Sequence, residues 1–378
     1  MKVLFIRANK GLPDSRVEKE LYSLSKEHEV ELLGWNREEN TENIEEKNIA
    51  INNKNFKYYW IGIKAPQGEG FKKILFPMLK FWITICIFLY KNSGKYDVVH
   101  FCDFDTSAIA FFVAKFKKMK IVYDIFDYYA DSHNAPKFIK SIIKKWENYI
   151  INNSDTVILC SEKRREQILP AKAKKIIIIN NSPSKAIEFE NINLQGDGTR
   201  KRLVYVGMLS EDRLLDKIAQ VIITRNDIEW HVAGMGILAP YFEKISKKYD
   251  NIFYYGKISY PQALCLESQC DYMTAIYDPQ VSNHKYADPN KFYEAILLRK
   301  PIVVLKGTGI DEVVINKKLG IVLDYNVKNF KRDFSNALNN LVEKNEIYFN
   351  RTNASILSDT VYSWEIMEKR LLEAYKWL

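Results

Sequence analysis

Short apolar runs alternate along this chain with longer stretches in which apolar residues recur at helical spacing. The runs at 3–6, 30–33, 97–101 and 120–125, and those within 154–160 and 174–180, read as buried strands leading into turns rich in Asp, Asn, Ser or Gly. Between them, 138–151 carries an amphipathic helical pattern, and a helix is expected soon after Val17. This alternation predicts an α/β fold with a parallel sheet. A polar stretch without periodicity, 188–200, then interrupts the pattern and contains Gly196 and Gly198. Beyond it the alternation restarts, with strands within 202–206, 227–233, 251–257, 271–277 and 302–305. Helices are expected from Leu214, near 311–315, from Asn329 and in the tail. A chain of 378 residues exceeds one ordinary core. The expectation is therefore a first domain over 1–187, a linker over 188–200, a second domain over 201–360 and a terminal helical segment over 361–378.

The most apolar segment is 71–91. A membrane-crossing helix needs roughly 20 apolar residues, and Pro77 and Lys80 interrupt this one. It is expected to pack on a core, to lie in an anionic membrane surface with its lysines at the rim and Trp82 and Tyr90 at the interface, or to do both. The opening run, 3–6, is too short for a secretion signal, and no cleavage site follows it.

The stretch 278–305 holds the densest candidate chemistry. It begins as a polar loop, passes through a short helix and ends in an apolar strand. Asp288 stands where a helix cap belongs, and Pro289 where the first helical residue would lie. A helix begun there offers free backbone N–H groups and a positive dipole end to a phosphate. Asn290 and Glu294 lie four apart, on one face. A carboxylate near bound phosphate would repel it, so Glu294 suits a pair of sugar hydroxyls. The site reads as one for a nucleoside diphosphate, with Glu294 on the ribose.

The string Pro289-Asn-Lys-Phe-Tyr-Glu294-Ala, followed after five residues by Pro301-Ile-Val, resembles the donor-site signature of GT-B glycosyltransferases, in particular the retaining family 4. That signature has two glutamates eight positions apart. Glu294 matches the second, which implies a ribose contact, whereas Tyr286 stands at the first. Other stretches resemble the family in the same order. The opening loop holds Lys10, Gly11 and, within Asp14-Ser-Arg16-Val, Arg16, which the resemblance places at the acceptor side of a cleft. The strand 120–127 ends in Asp124-Ile-Phe126-Asp127, where relatives carry a His in place of Phe126. Asp127 is thus the candidate group facing the reacting centre. Gly207 fits the family's Gly-Arg turn, with Met208 at the Arg position. Arg213 and Lys217 follow as the basic residues expected on the pyrophosphate, with Arg213 stabilising the departing diphosphate. Lys291 belongs to the same donor set. So does Gly234, whose spacing to Gly236 and Ala239 also fits a dinucleotide fingerprint. That reading is rejected because the strand after it offers no acid for an adenosine ribose.

The resemblance implies two Rossmann-like domains facing across a cleft, with the terminal helix crossing back onto the first. It implies sugar transfer from a nucleotide diphosphate sugar to a glycan or lipid-linked acceptor, with retention and no catalytic metal or other cofactor. Asp103 and Asp105, an Asp-x-Asp pair, read as a solvated turn. The departures at Tyr286 and Phe126 leave two alternatives open: a nucleotide-sugar 2-epimerase of the same fold, and a catalytically weak accessory subunit.

Net charge adds one constraint. A formal charge of +9 implies an anionic partner; nucleotide-sugar phosphates and an acidic membrane face meet it, and no nucleic acid is expected. Five cysteines without metal-like spacing point to a reducing cytoplasm.

Overall fold

The computed structural model describes residues 1–10, 14–41, 43–66, 71–132, 136–326 and 328–378. Gly11, expected near an acceptor, lies outside the described residues. The chain forms two compact units, Met1–Asn180 with Met367–Leu378, and Asn181–Ile366.

Unit 1 is built on an eight-stranded sheet. Its strands are β1 (Lys2–Arg7), β2 (Glu29–Asn36), β3 (Glu45–Ile51), β4 (Lys54–Gly62), β5 (Val98–Cys102), β6 (Lys120–Ile125), β7 (Thr156–Leu159) and β8 (Ile176–Ile178). They lie in the order β3-β4-β2-β1-β5-β6-β7-β8. All neighbours are parallel except β3 and β4, which form a hairpin. Asn52 and Asn53 turn that hairpin with φ of 47° and 63°, the left-handed pair that a two-residue turn of matching twist needs. The helix Phe71–Asn92 buries Met78, Phe81, Ile85, Phe88 and Leu89 against the sheet. Phe81 stacks on Trp35 with centroids 4.5 Å apart. Each such side chain contributes about 1.5–3 kcal/mol by leaving water.

Unit 2 carries six parallel strands, β9 (Lys201–Met208), β10 (Ile228–Met235), β11 (Ile252–Tyr254), β12 (Tyr272–Ala275), β13 (Ile302–Leu305) and β14 (Gly320–Leu323). Their order is β11-β10-β9-β12-β13-β14. Chain order reverses between β9 and β12, and in open sheets of this kind ligands bind beyond the carboxyl ends of the strands at that switch.

Burial opposes the charge of a carboxyl group on a helix of unit 1. Glu147 is fully buried on the helix Lys137–Asn153, where it accepts from Tyr123 Oη at 2.9 Å. Burial pushes its pKa up to about 8, against those hydrogen bonds. The folded state therefore holds a proton that the unfolded state releases near pH 4.5. Stability is full below that pH and falls as pH rises through about 8. Urea unfolding is expected to show unit 1 losing on the order of 2–4 kcal/mol between mildly acidic and mildly alkaline buffer. Glu147→Gln should make that slope shallower; an unchanged slope in the variant rules out Glu147 as a source of it.

Candidate active site

The carboxyl ends of β9 and β12 bring the expected donor residues of unit 2 together. Gly207 has φ of +147°, and a Cβ there would stand 2.5 Å from Lys291 Nζ. The absence of a side chain is thus what lets the lysine reach the end of β9. Gly234 pairs with Gly207 across the strands, and a Cβ on it would meet the Gly207 carbonyl at 1.8 Å. Its role is close strand packing beneath the site. Lys291 is a buried residue whose ammonium lies 4.6 Å from the Tyr205 ring centroid. Burial disfavours its charge, but Tyr205, Tyr277 and the carboxylates of Glu294 and Glu267 outweigh that and hold it protonated.

Arg213 follows in a short turn after β9. Its guanidinium lies 3.8 Å over the ring of Tyr277, the residue that follows β12 and Ile276. Its Nη1 is 2.8 Å from His284 Nε2. His284 is fixed in turn by Nδ1, 2.8 Å from the Asp278 carbonyl, and by Asp212 Oδ2, 3.1 Å from Nε2. Because the carbonyl can only accept, Nδ1 donates to it. Asp212 is held well below the usual carboxylate range, first by His284. Tyr277, His284 and Asp212 thus aim a cation at the switch point. Lys217 is half-buried on the next helix, Leu215–Ile222.

The helix carrying Glu294 starts later than its sequence suggests. It spans Asn290–Leu298, and Pro289, in extended geometry, is the capping residue. Asp288 does not cap it: its carboxylate accepts from the Tyr293 hydroxyl, one turn further on, and the residue is buried. Proline tolerates the last extended position as readily as the first helical one, so an Asp-Pro pair alone does not settle the register. Asn290 is exposed at the helix start and Glu294 is buried one turn below. Glu294 interacts with Tyr260, whose hydroxyl is pushed up first by burial and then by that carboxylate. Glu267, also buried, is pushed well above the usual range by burial and by Glu294, with Lys291 opposing. The sequence reading did not single out Tyr205, Tyr260, Glu267, Tyr277, Asp212 or a bonding role for His284. Asp212 is merely adjacent to Arg213 in the chain, and the others stand at no diagnostic spacing from Arg213 or Glu294; the fold brings them there.

Unit 1 places its candidates differently. Arg16 is buried and engaged internally, with Nε 3.0 Å from Glu20, Nη2 2.6 Å from Asp124 and Nη1 3.2 Å from the Ile179 carbonyl. The acceptor role expected of it gives way to an interior ion-pair network. Lys10 pairs with Glu38 and lies 5.7 Å from the Trp60 ring centroid, toward β2 and β4. Asp127 is exposed and pairs with the buried Arg164 at 3.1 Å. Asp103 and Asp105 are half-buried, so the solvated turn expected of them is not what forms. Asp103 binds Arg7 and accepts from the Phe126 and Asp127 backbone N–H groups at 2.8 and 3.2 Å. Arg7 and Arg16 both stack on Phe126, at 4.1 and 4.6 Å from its ring centroid. Phe126 therefore fills the place of a polar residue with a doubly stacked ring. Among the described residues, the group able to hold a metal ion is Glu20, His100 and Asp124. It is fully buried, and Arg16 already holds one oxygen of each carboxylate.

No protein-family model matches the chain, and no curated protein matches it by sequence. Solved structures match it along its whole length. A sucrose-phosphate synthase from Thermosynechococcus elongatus superposes with a TM-score of 0.76 at 13% identity, covering 100% of this chain and 98% of that one. A UDP-forming trehalose-phosphate synthase from Burkholderia xenovorans gives 0.75 at 10% identity, over 99% and 98% of the two chains. Anabaena HepE, in complex with UDP and glucose, gives 0.72 at 12% identity with full coverage of both. The fold is GT-B.

Proposed function

We propose that this protein transfers a sugar from a nucleotide diphosphate sugar to a glycan or lipid-linked acceptor, in the synthesis of a surface polysaccharide or glycoconjugate. The observation that carries the proposal is the pair of cations, Arg213 and Lys291, flanking the switch point of unit 2 beside the start of the helix Asn290–Leu298. Glu294 lies one turn below. UDP and UDP-glucose in the complexes of HepE support a uridine donor. In this reading unit 2 is the donor domain and unit 1 the acceptor domain. The glycosidic bond breaks with charge building on the pyrophosphate, and Arg213, Lys291 and helix N–H groups preorganised around it stabilise that charge. Transfer proceeds with retention and without a catalytic metal. The protein works in the cytoplasm, which five free thiols support. It is peripheral on an anionic membrane face through the segment 71–91.

A panel of nucleotide sugars, each incubated with and without lipid-linked and glycan acceptors and resolved by mass spectrometry, tests the proposal. Acceptor-dependent transfer that survives excess EDTA is the expected result. A product that is an isomer of the donor, formed without acceptor, assigns epimerisation instead. Activity that vanishes with EDTA and returns with manganese overturns the metal-free mechanism.

A further inference from the structure

We infer that unit 1 docks on an anionic lipid bilayer through a platform of three helices, of which Phe71–Asn92 is only one. The inference rests on the membrane reading above and extends it to Ala110–Phe116 and Lys137–Asn153. The outward face of the first helix, opposite its core-packed side, presents Phe76 at 66% exposure, with Ile83 at 58% and Tyr90 at 57%. The second adds Phe112 and Phe116, the latter 75% exposed, and the third adds Phe138, also 75% exposed. The three faces are continuous. Lys117 Nζ, just past the second helix, lies 3.7 Å from the Tyr90 ring centroid. Phe112 stacks with Tyr149 of the third helix, centroids 5.9 Å apart. An exposed apolar surface of this extent marks an interaction site.

Charge selects the partner. Lys73, Lys80 and Lys91 edge the first helix, Lys117 and Lys118 follow the second, and Lys137, Lys140, Lys144 and Lys145 lie along the third. The first two helices contain no acidic residue, and the only one in the third, Glu147, is fully buried. A second copy of this face would set lysine against lysine. An anionic bilayer accepts both features, headgroup phosphates taking the lysines and the interface taking the aromatic rings. By length and composition, helix Lys73–Lys95 is apolar enough to cross a membrane, with a mean hydropathy of 1.7. Crossing would strip Phe81, Ile85 and Leu89, all at 0% exposure, from the core. The helix therefore lies in the interface.

Flotation of the full chain with vesicles of equal phosphatidylglycerol and phosphatidylcholine, against phosphatidylcholine alone, tests this, with calorimetric UDP binding measured on the same samples. Wild type should float with the anionic vesicles. Each basic residue near such a surface is worth roughly fivefold in partitioning, so Lys117→Glu with Lys145→Glu should weaken it by at least about tenfold. Phe116→Ser with Phe138→Ser should do the same, since both side chains are exposed and the fold does not depend on them. Binding unchanged by these substitutions but lost with Phe76→Ser and Ile83→Ser reduces the platform to one helix and overturns the inference. So does a wild type that ignores both vesicles, or one that dimerises in their absence through Phe116 and Phe138. UDP binding retained in any of these outcomes leaves the glycosyltransferase reading intact, whereas its loss from wild type strikes that reading and not this one.

Discussion

Arg16→Met is expected to destabilise unit 1 by roughly 3–5 kcal/mol, the usual cost of stranding buried charge after one partner of an ion pair is removed. Glu20 and Asp124 are both at 0% exposure, and Arg16 contacts one oxygen of each. Their second oxygens lie 3.6 and 3.5 Å from His100 Nε2, and His100 Nδ1 is 2.7 Å from the Tyr375 hydroxyl. Burial and Asp124 push Glu20 well above the usual carboxylate range, with Arg16 opposing. Asp124 stays below that range because Arg16, His100 and Glu20 outweigh its burial. Without the guanidinium both carboxyls should climb and take up protons on folding. The deficit of the variant must then shrink as pH falls, because the folded state now binds more protons than the unfolded one. Urea unfolding at two pH values measures both effects. A loss below about 1 kcal/mol, or one independent of pH, contradicts the role assigned to Arg16. Adding Asp124→Asn should recover part of the loss, since the two residues share one network.

That network shows where sequence reading stopped. Most of the parallel strands and the repeated α/β alternation were legible because buried parallel strands leave continuous apolar runs between turn residues. The hairpin of β3 and β4 was not read, although Asn52-Asn53 is a turn signal. Strand β3 is polar over 45–48, so no apolar run marks its start. Glu294 was singled out by its spacing to Asn290 and by the family signature. The partners of Arg213 were not, since Tyr277 and His284 lie 64 and 71 positions away in sequence and meet it only through the strand order. Arg16 illustrates the opposite failure. Its motif was visible, but motif alone does not reveal whether a guanidinium faces a ligand or three interior oxygens.

Glu294→Ala should weaken nucleoside diphosphate binding about 10- to 100-fold in calorimetry. Hydrogen bonds to a charged group are worth roughly 1.5–3 kcal/mol, and about 1.4 kcal/mol is a decade in affinity. Ribose contacts change little as the glycosidic bond breaks, so the loss belongs in binding and KM, with kcat held. Arg213→Ala should divide its effect the other way. Charge accumulates on the departing pyrophosphate, so a cation aimed there by Tyr277 and His284 acts more strongly in the transition state, and kcat falls. His284→Ala, which frees the guanidinium without removing it, should give a smaller fall in kcat than Arg213→Ala. A purely structural Glu294 makes a different forecast. Its carboxylate sits among Tyr260, Glu267 and Lys291, and removing it would then shift melting temperature while leaving UDP affinity intact. Removing the charge would also relieve Glu267, whose pKa Glu294 helps to raise, so a structural Glu294→Ala protein could even gain stability at alkaline pH. A folded variant with wild-type UDP affinity therefore removes Glu294 from the donor site, and with it the main reason for placing the ribose beneath the start of that helix.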